Sequence, residues 1–250
     1  MLLLQVWKPS LRSATADATD LWLALAAGLA NELMLATPVL AGLGLLAGGL
    51  SAARQFVLGY AYLRLVRSLY GLLLSGIDEI PRLALQGDLD QQVVLPVNWV
   101  VAVALSRFDP SRIGSTTFAL GLYILYASGA SGWWLAMGAV PFAVLTAASL
   151  HLATSVTAAF WFPDPRNTLS ASLERVTEFY QYPEGIYPGW LREILLCLPL
   201  GAAVYLPVRV LGGGPPYLVL IQAVVAVLCW AAAIKHADWS WRRYQSAGGA

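Results

Sequence analysis

Long apolar stretches broken by a few charges dominate the chain. From Leu33 to Ala53 no residue is charged, and about 20 mostly apolar residues suffice for one membrane-spanning helix. This predicts span 1. The apolar stretch Leu21–Asn31 is too short to cross alone, and Glu32 sets it off. It reads as a helix lying at the interface or bending into span 1. Span 2, about 55–76, carries Arg64 and Arg67. Their i, i+3 spacing places them on one face. That face must meet protein, water or headgroups, because a lipid-facing arginine at mid-depth is costly. Residues 113–163 hold no Asp, Glu, Lys or Arg. The stretch is too long for one helix, and Gly129-Ala130-Ser131-Gly132 divides it into span 3 (about 114–129) and span 4 (about 133–160). Trp133 and Trp134 then mark one membrane surface, and Trp161 and Phe162 the other. Span 5 runs from about 191 to 210, the turn Gly212–Pro216 follows, and span 6 runs from Tyr217 to about Ile234. The predicted class is all-α: a polytopic membrane protein of about six transmembrane helices.

Composition agrees. The 250 residues are 58% hydrophobic and 12% charged, with a mean hydropathy of +0.65. A soluble domain is about 25% charged. A nucleic-acid binder, a disordered regulator and a disulfide scaffold are all poor fits, and the net charge of +1 implies no bulk electrostatic partner. Cys197 and Cys229 lie in apolar runs and read as small packing residues. Lys8 and Arg12 follow the apolar Met1–Leu4, the reverse of a cleavable signal, so residues 1–20 read as a cytoplasmic arm. Six spans put both termini on one side. Lys8, Arg12, Arg82, Arg107, Arg112, Arg166, Arg175, Arg192, Lys235, Arg242 and Arg243 would share that side, against Arg54 and Arg209 opposite. The excess of basic residues makes the terminal side cytoplasmic. The two polar stretches, about 77–112 and 163–192, would both lie there.

Chemistry is sparse. Nothing matches the P-loop pattern, and neither H-E-x-x-H nor metal-type Cys/His spacing occurs. Gly129-Ala130-Ser131-Gly132 resembles the G-x-S-G of rhomboid intramembrane proteases, with His151 in the next span. A serine–histidine dyad needs both groups at one depth, and 20 residues of helix separate these by about 30 Å. A small-residue turn and a packing histidine is the better reading. Glu32 reads either as a proton or substrate site, or as a carboxylate at the head of span 1. Arg64 and Arg67 either face a transport pathway or snorkel to the surface. The segment from Ile77 to Asn98 reads as a helix–turn–helix lying flat on the membrane with Gly87–Asp90 presented to the cytosol, or as a solvated loop.

Gly87-Asp88-Leu89-Asp90 followed by Leu95-Pro96-Val97-Asn98 resembles the "G-D-L-D…L-x-P-V-N" pattern of ABC-2 type transporter permeases, specifically the six-span family without a fused ATPase. Tyr182-Pro183 with Ile186-Tyr187-Pro188, Leu198-Pro199-Leu200 with Tyr205-Leu206-Pro207, and the tail from Trp241 to Gly249 follow in the family's order. The resemblance covers about residues 50–250. It implies a single permease domain: an arm and interfacial helix (1–32), spans 1–2 (33–76), a cytoplasmic coupling segment (77–112), spans 3–4 (113–160), a second cytoplasmic segment (163–190), spans 5–6 (191–234) and a cytoplasmic tail (235–250). It implies coupling to a separate ABC-type ATPase through Gly87, Asp88, Leu89, Asp90, Pro96 and Asn98. Glu32, Arg64, Arg67, Tyr182, Pro183, Tyr187, Pro199, Tyr205 and Pro207 are the pathway or structural candidates, and Tyr180, Tyr182, Tyr187 and Trp190 a possible aromatic shelf. The implied setting is an exporter in a bacterial inner membrane, with a second identical or related permease. No catalytic, cofactor or metal residue is expected in this chain, ATP and Mg belonging to the partner. A secondary transporter or channel, and a non-transporting structural subunit, remain alternatives.

Overall fold

The computed structural model describes residues 18–46, 50–93, 98–162, 164 and 166–243. Among them every regular element is helical. The principal helices are α1 (Ala18–Leu46), α2 (Leu50–Leu74), α3 (Ile80–Gln86), α4 (Leu89–Val93), α5 (Trp99–Ala104), α6 (Ser111–Ala127), α7 (Trp133–Gly138), α8 (Val140–Phe160), α9 (Thr168–Glu178), α10 (Gly189–Cys197), α11 (Pro199–Leu211) and α12 (Tyr217–Trp241). Three straight helical stretches are long and apolar enough to cross a membrane, and a fourth is added if the bent pair α10–α11 counts as one.

Two ends organise the bundle. At the near end, Trp241 packs on Trp99 (ring centroids 5.1 Å) and Phe160 (6.0 Å), and Trp161 Nε1 donates to Ser240 Oγ at 2.9 Å. The Arg243 guanidinium lies 3.4 Å above the Trp161 ring. At the far end, Arg54 Nε donates to Tyr126 O at 3.0 Å, and Gly132 abuts the Val210 carbonyl. Chain packing in a membrane gains little from hydrophobicity and relies on close approach of small residues. Here α1 and α6 cross backbone on backbone: a Cβ at Gly28 would stand 2.4 Å from Ser111 O, and one at Gly114 2.4 Å from Leu25 O.

Two sequence expectations are corrected. Glu32 is no boundary: Leu21–Asn31 runs on into span 1, the second of the two readings above, as one continuous helix, α1. Glu32 does not end the helix because its charge is matched inside the bundle: Arg64 donates to both of its oxygens, at 2.7 and 2.5 Å. Leu50–Ala53, assigned above to span 1, open α2 instead.

The second correction concerns residues 163–211. Helix α9 starts at the near end, where Ser170 Oγ meets Thr154 Oγ1 at 2.9 Å. The chain then follows α2 toward the far end. Glu174 faces Arg67, Tyr182 packs edge-on to Phe56 at 5.9 Å, and Glu184 grips Arg209 with both oxygens (2.8 and 2.7 Å). Residues 182–186 therefore sit beside the Gly212–Pro215 turn, not with residues 77–112 at the other end. From there α10 turns back, so that Leu195 O accepts from Tyr180 at 3.1 Å, and α11 returns to the far end at 105° to α10. The predicted straight span 5 is a broken pair. Leu198 is extended (φ −75°, ψ 146°), the conformation that a following proline, Pro199, demands.

Candidate functional sites: a buried polar joint, its cavity and the 77–98 segment

The 3-10 turn Ser75–Glu79 roots the 77–98 segment at the near end of α2. Its Asp78 is the centre of a polar joint. Tyr70 donates to Asp78 Oδ2 at 2.9 Å, and His151 Nδ1 lies 2.9 Å from Asp78 Oδ1. The carboxylate can only accept, so the imidazole carries its proton on Nδ1. The Tyr70 and His151 rings stack, centroids 4.3 Å apart. Asn167 Nδ2 donates to Asp78 O (3.2 Å) and to Ser155 Oγ (2.9 Å). Asn167 holds a left-handed φ of 48°, which asparagine tolerates better than most residues. One aspartate thus ties α2, the turn, α8 and the start of α9 together.

The segment beyond the turn is packed, not a solvated loop. Ile77, Ile80 and Leu89 are fully buried, and α3 lies against α8. Gly87 caps α3 at φ 78°, the left-handed region that costs any Cβ-bearing residue about 1–2 kcal/mol. Asp88 and Asp90 are half-buried. Asn98 accepts from Val100 N at 2.9 Å and so caps α5. A Cβ at Gly76 would stand 1.9 Å from Val103 O, so the turn and α5 touch through their backbones. Pro96 lies outside the described residues.

A cavity of about 250 Å³ opens from this joint along α2, reaching Arg64 and Arg67. Glu32 is 3% exposed and satisfied by Arg64, so it is a buried ion-pair partner and not a carboxylate at a helix head. Arg67 differs. Its nearest carboxylate, Glu174, is 4.0 Å away. A second, larger cavity at the far end, about 710 Å³, is walled by Tyr182, Tyr205, Glu184 and Arg209. Ser131 lies at the far end beside Arg54 while His151 faces Asp78 at the near end, so the two form no dyad. Among the described residues no group of three His, Cys, Asp or Glu side chains gathers as a metal site.

Asp164 secures the entry to α9. Its Oδ2 accepts from Thr168 N (2.7 Å) and Thr168 Oγ1 (2.5 Å), and its Oδ1 from Arg166 N (3.0 Å). These donors, the Thr168 hydroxyl first, hold its carboxyl below the usual range. A depressed folded value stabilises the fold at all pH above the ordinary aspartate value of about 4, and that contribution fades as pH falls through the folded value. Protection of amides 168–171, measured relative to the intrinsic exchange rate at each pH, is therefore expected to fall only under acid. In Asp164→Ala it should already be low at neutral pH, with no acid step.

The family model described as "ABC-2 family transporter protein" matches residues 47–248. That is most of the chain. It belongs to the ABC-2 transporter family. No curated protein and no solved structure matches it. As an ABC-2 permease it is a membrane component of an ABC-type transporter, not itself the catalyst, and the family implies an ATPase partner of ABC type. Glu32 precedes the matched stretch, whereas Asp78, His151 and Asn167 fall inside it.

Most of the remaining residues singled out in this ABC-2 chain lie in the far-end network; Trp190 stands apart, 68% exposed. Tyr205 donates to Tyr182 O at 3.2 Å and Tyr187 to Phe179 O at 2.5 Å. Pro183 precedes the 3-10 turn Glu184–Ile186. These residues lock residues 179–187 onto α11. Pro207 has no N–H to offer Ala203 O, its partner four residues back. Gln222 of α12, fully buried, fills that vacancy: its Nε2 donates to Ala203 O (3.3 Å) and Ala139 O (3.1 Å). The polar joint is not legible in the sequence. Asp78 stands in a charged turn, and His151 reads as a packing histidine or as one of a few ionisable groups within the spans. Asn167 gives no sequence signal at all.

Proposed function

We propose that the chain is the membrane subunit of an ATP-driven ABC-2 exporter in a bacterial inner membrane, with both termini in the cytoplasm. Six crossings would be made by α1, α2, α6, α8, the composite of α9 with residues 179–184, and α12. The pair α10–α11 would be re-entrant from the outer side. A separate ATPase, holding ATP and Mg, docks at the near end against Gly87, Asp88 and Asp90, with the buried Leu89 anchoring that turn and Asn98 capping the return helix. A second permease, identical or related, completes the pathway.

The observation that carries the reading is the Asp78 joint. Force transmission needs a packed lever joined to the spans. Residues 77–93 are packed through Ile80 and Leu89, and Asp78 connects their root to α2, α8 and α9. The half-buried acids Asp88 and Asp90 suit basic groups or helix N-termini of a partner.

The test is co-purification followed by a charge reversal. A P-loop ATPase in equal number to the permeases is expected in the native complex, and Asp88→Lys should reduce its association at least about tenfold, the scale of a lost charge-assisted contact. A complex without any ATPase would instead favour a secondary transporter. Unchanged association and ATP-dependent transport in Asp88→Lys would remove the coupling role from this turn.

A further inference from the structure

The cavity beside the joint has an unusual charge arrangement. On α2, Arg64 and Arg67 share a face, and one turn further on that face stands Gly71. The missing side chain there is replaced from another helix: the stem of Arg112, from α6, lies across Gly71, and a Cβ would meet its Nε at 3.0 Å. Three arginines thus form a ladder. The first rung is satisfied by Glu32. The other two are held more loosely. Arg67 has its side chain 26% exposed, makes no hydrogen bond among the described residues and meets Glu174 only at 4.0 Å. Arg112, half-exposed at the head of α6, pairs with Asp109 at 3.4 Å. A guanidinium carries five N–H donors in a planar fork suited to phosphate and carboxylate, and Arg67 in particular has donors to spare toward the cavity.

The rest of the cavity narrows the choice of anion. Glu174 and Glu178 stand on the α9 wall, so a purely anionic group would be attracted by one wall and repelled by the other. Toward mid-depth the lining turns apolar, through Leu63, Val66, Leu200 and Val204. Ser75 Oγ, enclosed and without a hydrogen-bond partner among the described residues, lies in the same lining. Arg67 is seven residues from the end of α2, about 10 Å of helix. On the membrane placement proposed above, that is about two turns inside the near-end surface, within reach of a headgroup drawn into the bundle.

We propose that this cavity binds the headgroup of a zwitterionic aminophospholipid, its phosphate between Arg67 and Arg112 and its ammonium toward Glu174 and Glu178. The inference rests on the membrane placement given above and not on ATP-driven export.

Equilibrium binding to the full chain, purified in phospholipid-free detergent, tests it. Dioctanoyl-phosphatidylethanolamine should bind saturably, one per chain, and more tightly than dioctanoyl-phosphatidylglycerol. Inorganic phosphate should compete only weakly. Arg67→Ala and Arg112→Gln should each weaken the lipid about tenfold or more. Gly71→Leu, which displaces Arg112 without removing a charge, should do the same. Glu174→Gln combined with Glu178→Gln should weaken the ethanolamine lipid and strengthen the glycerol one. Phosphate binding as tightly as the lipid would make a free anion the occupant and overturn the proposal. So would equal affinity for the two lipids, or Arg67→Ala variants that lose dimerisation with lipid binding unchanged, since a partner's carboxylate would then fill the site. If Arg67→Ala does not fold, the lipid preference of the unaltered chain and the Gly71→Leu variant still decide.

Discussion

Arg64→Ala is expected to destabilise the protein by about 3–5 kcal/mol, the usual cost of stranding one member of a buried ion pair. Glu32 is 3% exposed and takes both of its strong hydrogen bonds from Arg64. Without the guanidinium, the carboxylate must either stay charged in a low-dielectric interior or take up a proton, and both are unfavourable. The same logic predicts recovery. Replacing both partners together, Glu32→Leu with Arg64→Met, removes the charges and fills the space, and such swaps are often near neutral. Thermal or denaturant unfolding in detergent should place the double variant within about 2 kcal/mol of the parent. A double variant as unstable as Arg64→Ala would mean that the pair is not the joint between α1 and α2.

Asp78→Ala is expected to have the largest functional effect. It strips the acceptor from the Tyr70 hydroxyl, which is buried, and from the enclosed His151 ring. Each buried donor left without a partner costs about 1–3 kcal/mol, so a loss of about 2–4 kcal/mol is expected. Asp78→Asn should be milder, because one amide oxygen still accepts and the imidazole can change tautomer. Tyr70→Phe, which removes one donor and leaves the Asp78–His151 contact, should be mildest. On the coupling reading, all three should keep the ATPase bound, and ATP-driven transport should fall in that same order. Transport that ignores the series while stability follows it would leave Asp78 a purely structural residue.

The apolar pattern makes the helical class and most helix positions legible, and the Gly87–Asp90 motif marks a real turn, whereas the break at Leu198-Pro199 goes unread because the residues on both sides are equally apolar. A local signal suffices for the turn: a left-handed glycine. The other failures share a cause. Glu32 reads as a boundary because a charge that stops a helix and a charge matched inside a bundle are the same letter, and its partner is 32 positions away. Thr168–Gln181 reads as a cytoplasmic segment because it is polar, and nothing local announces the contacts to α2 and α8 that carry it along the bundle. The Asp78–His151 contact spans 73 positions, a pairing that no spacing rule can supply.

The Gln222 amide has a mechanical consequence. It is held at once by a carbonyl of α11, which Pro207 has left without its helical donor, and by one just before α8. An outward displacement of α11 would break the first bond and leave Ala203 O without either its helical donor or the amide. Sliding of α11 against α12 is therefore expected to be stepwise, held by the amide or released from it, with no gradual path between.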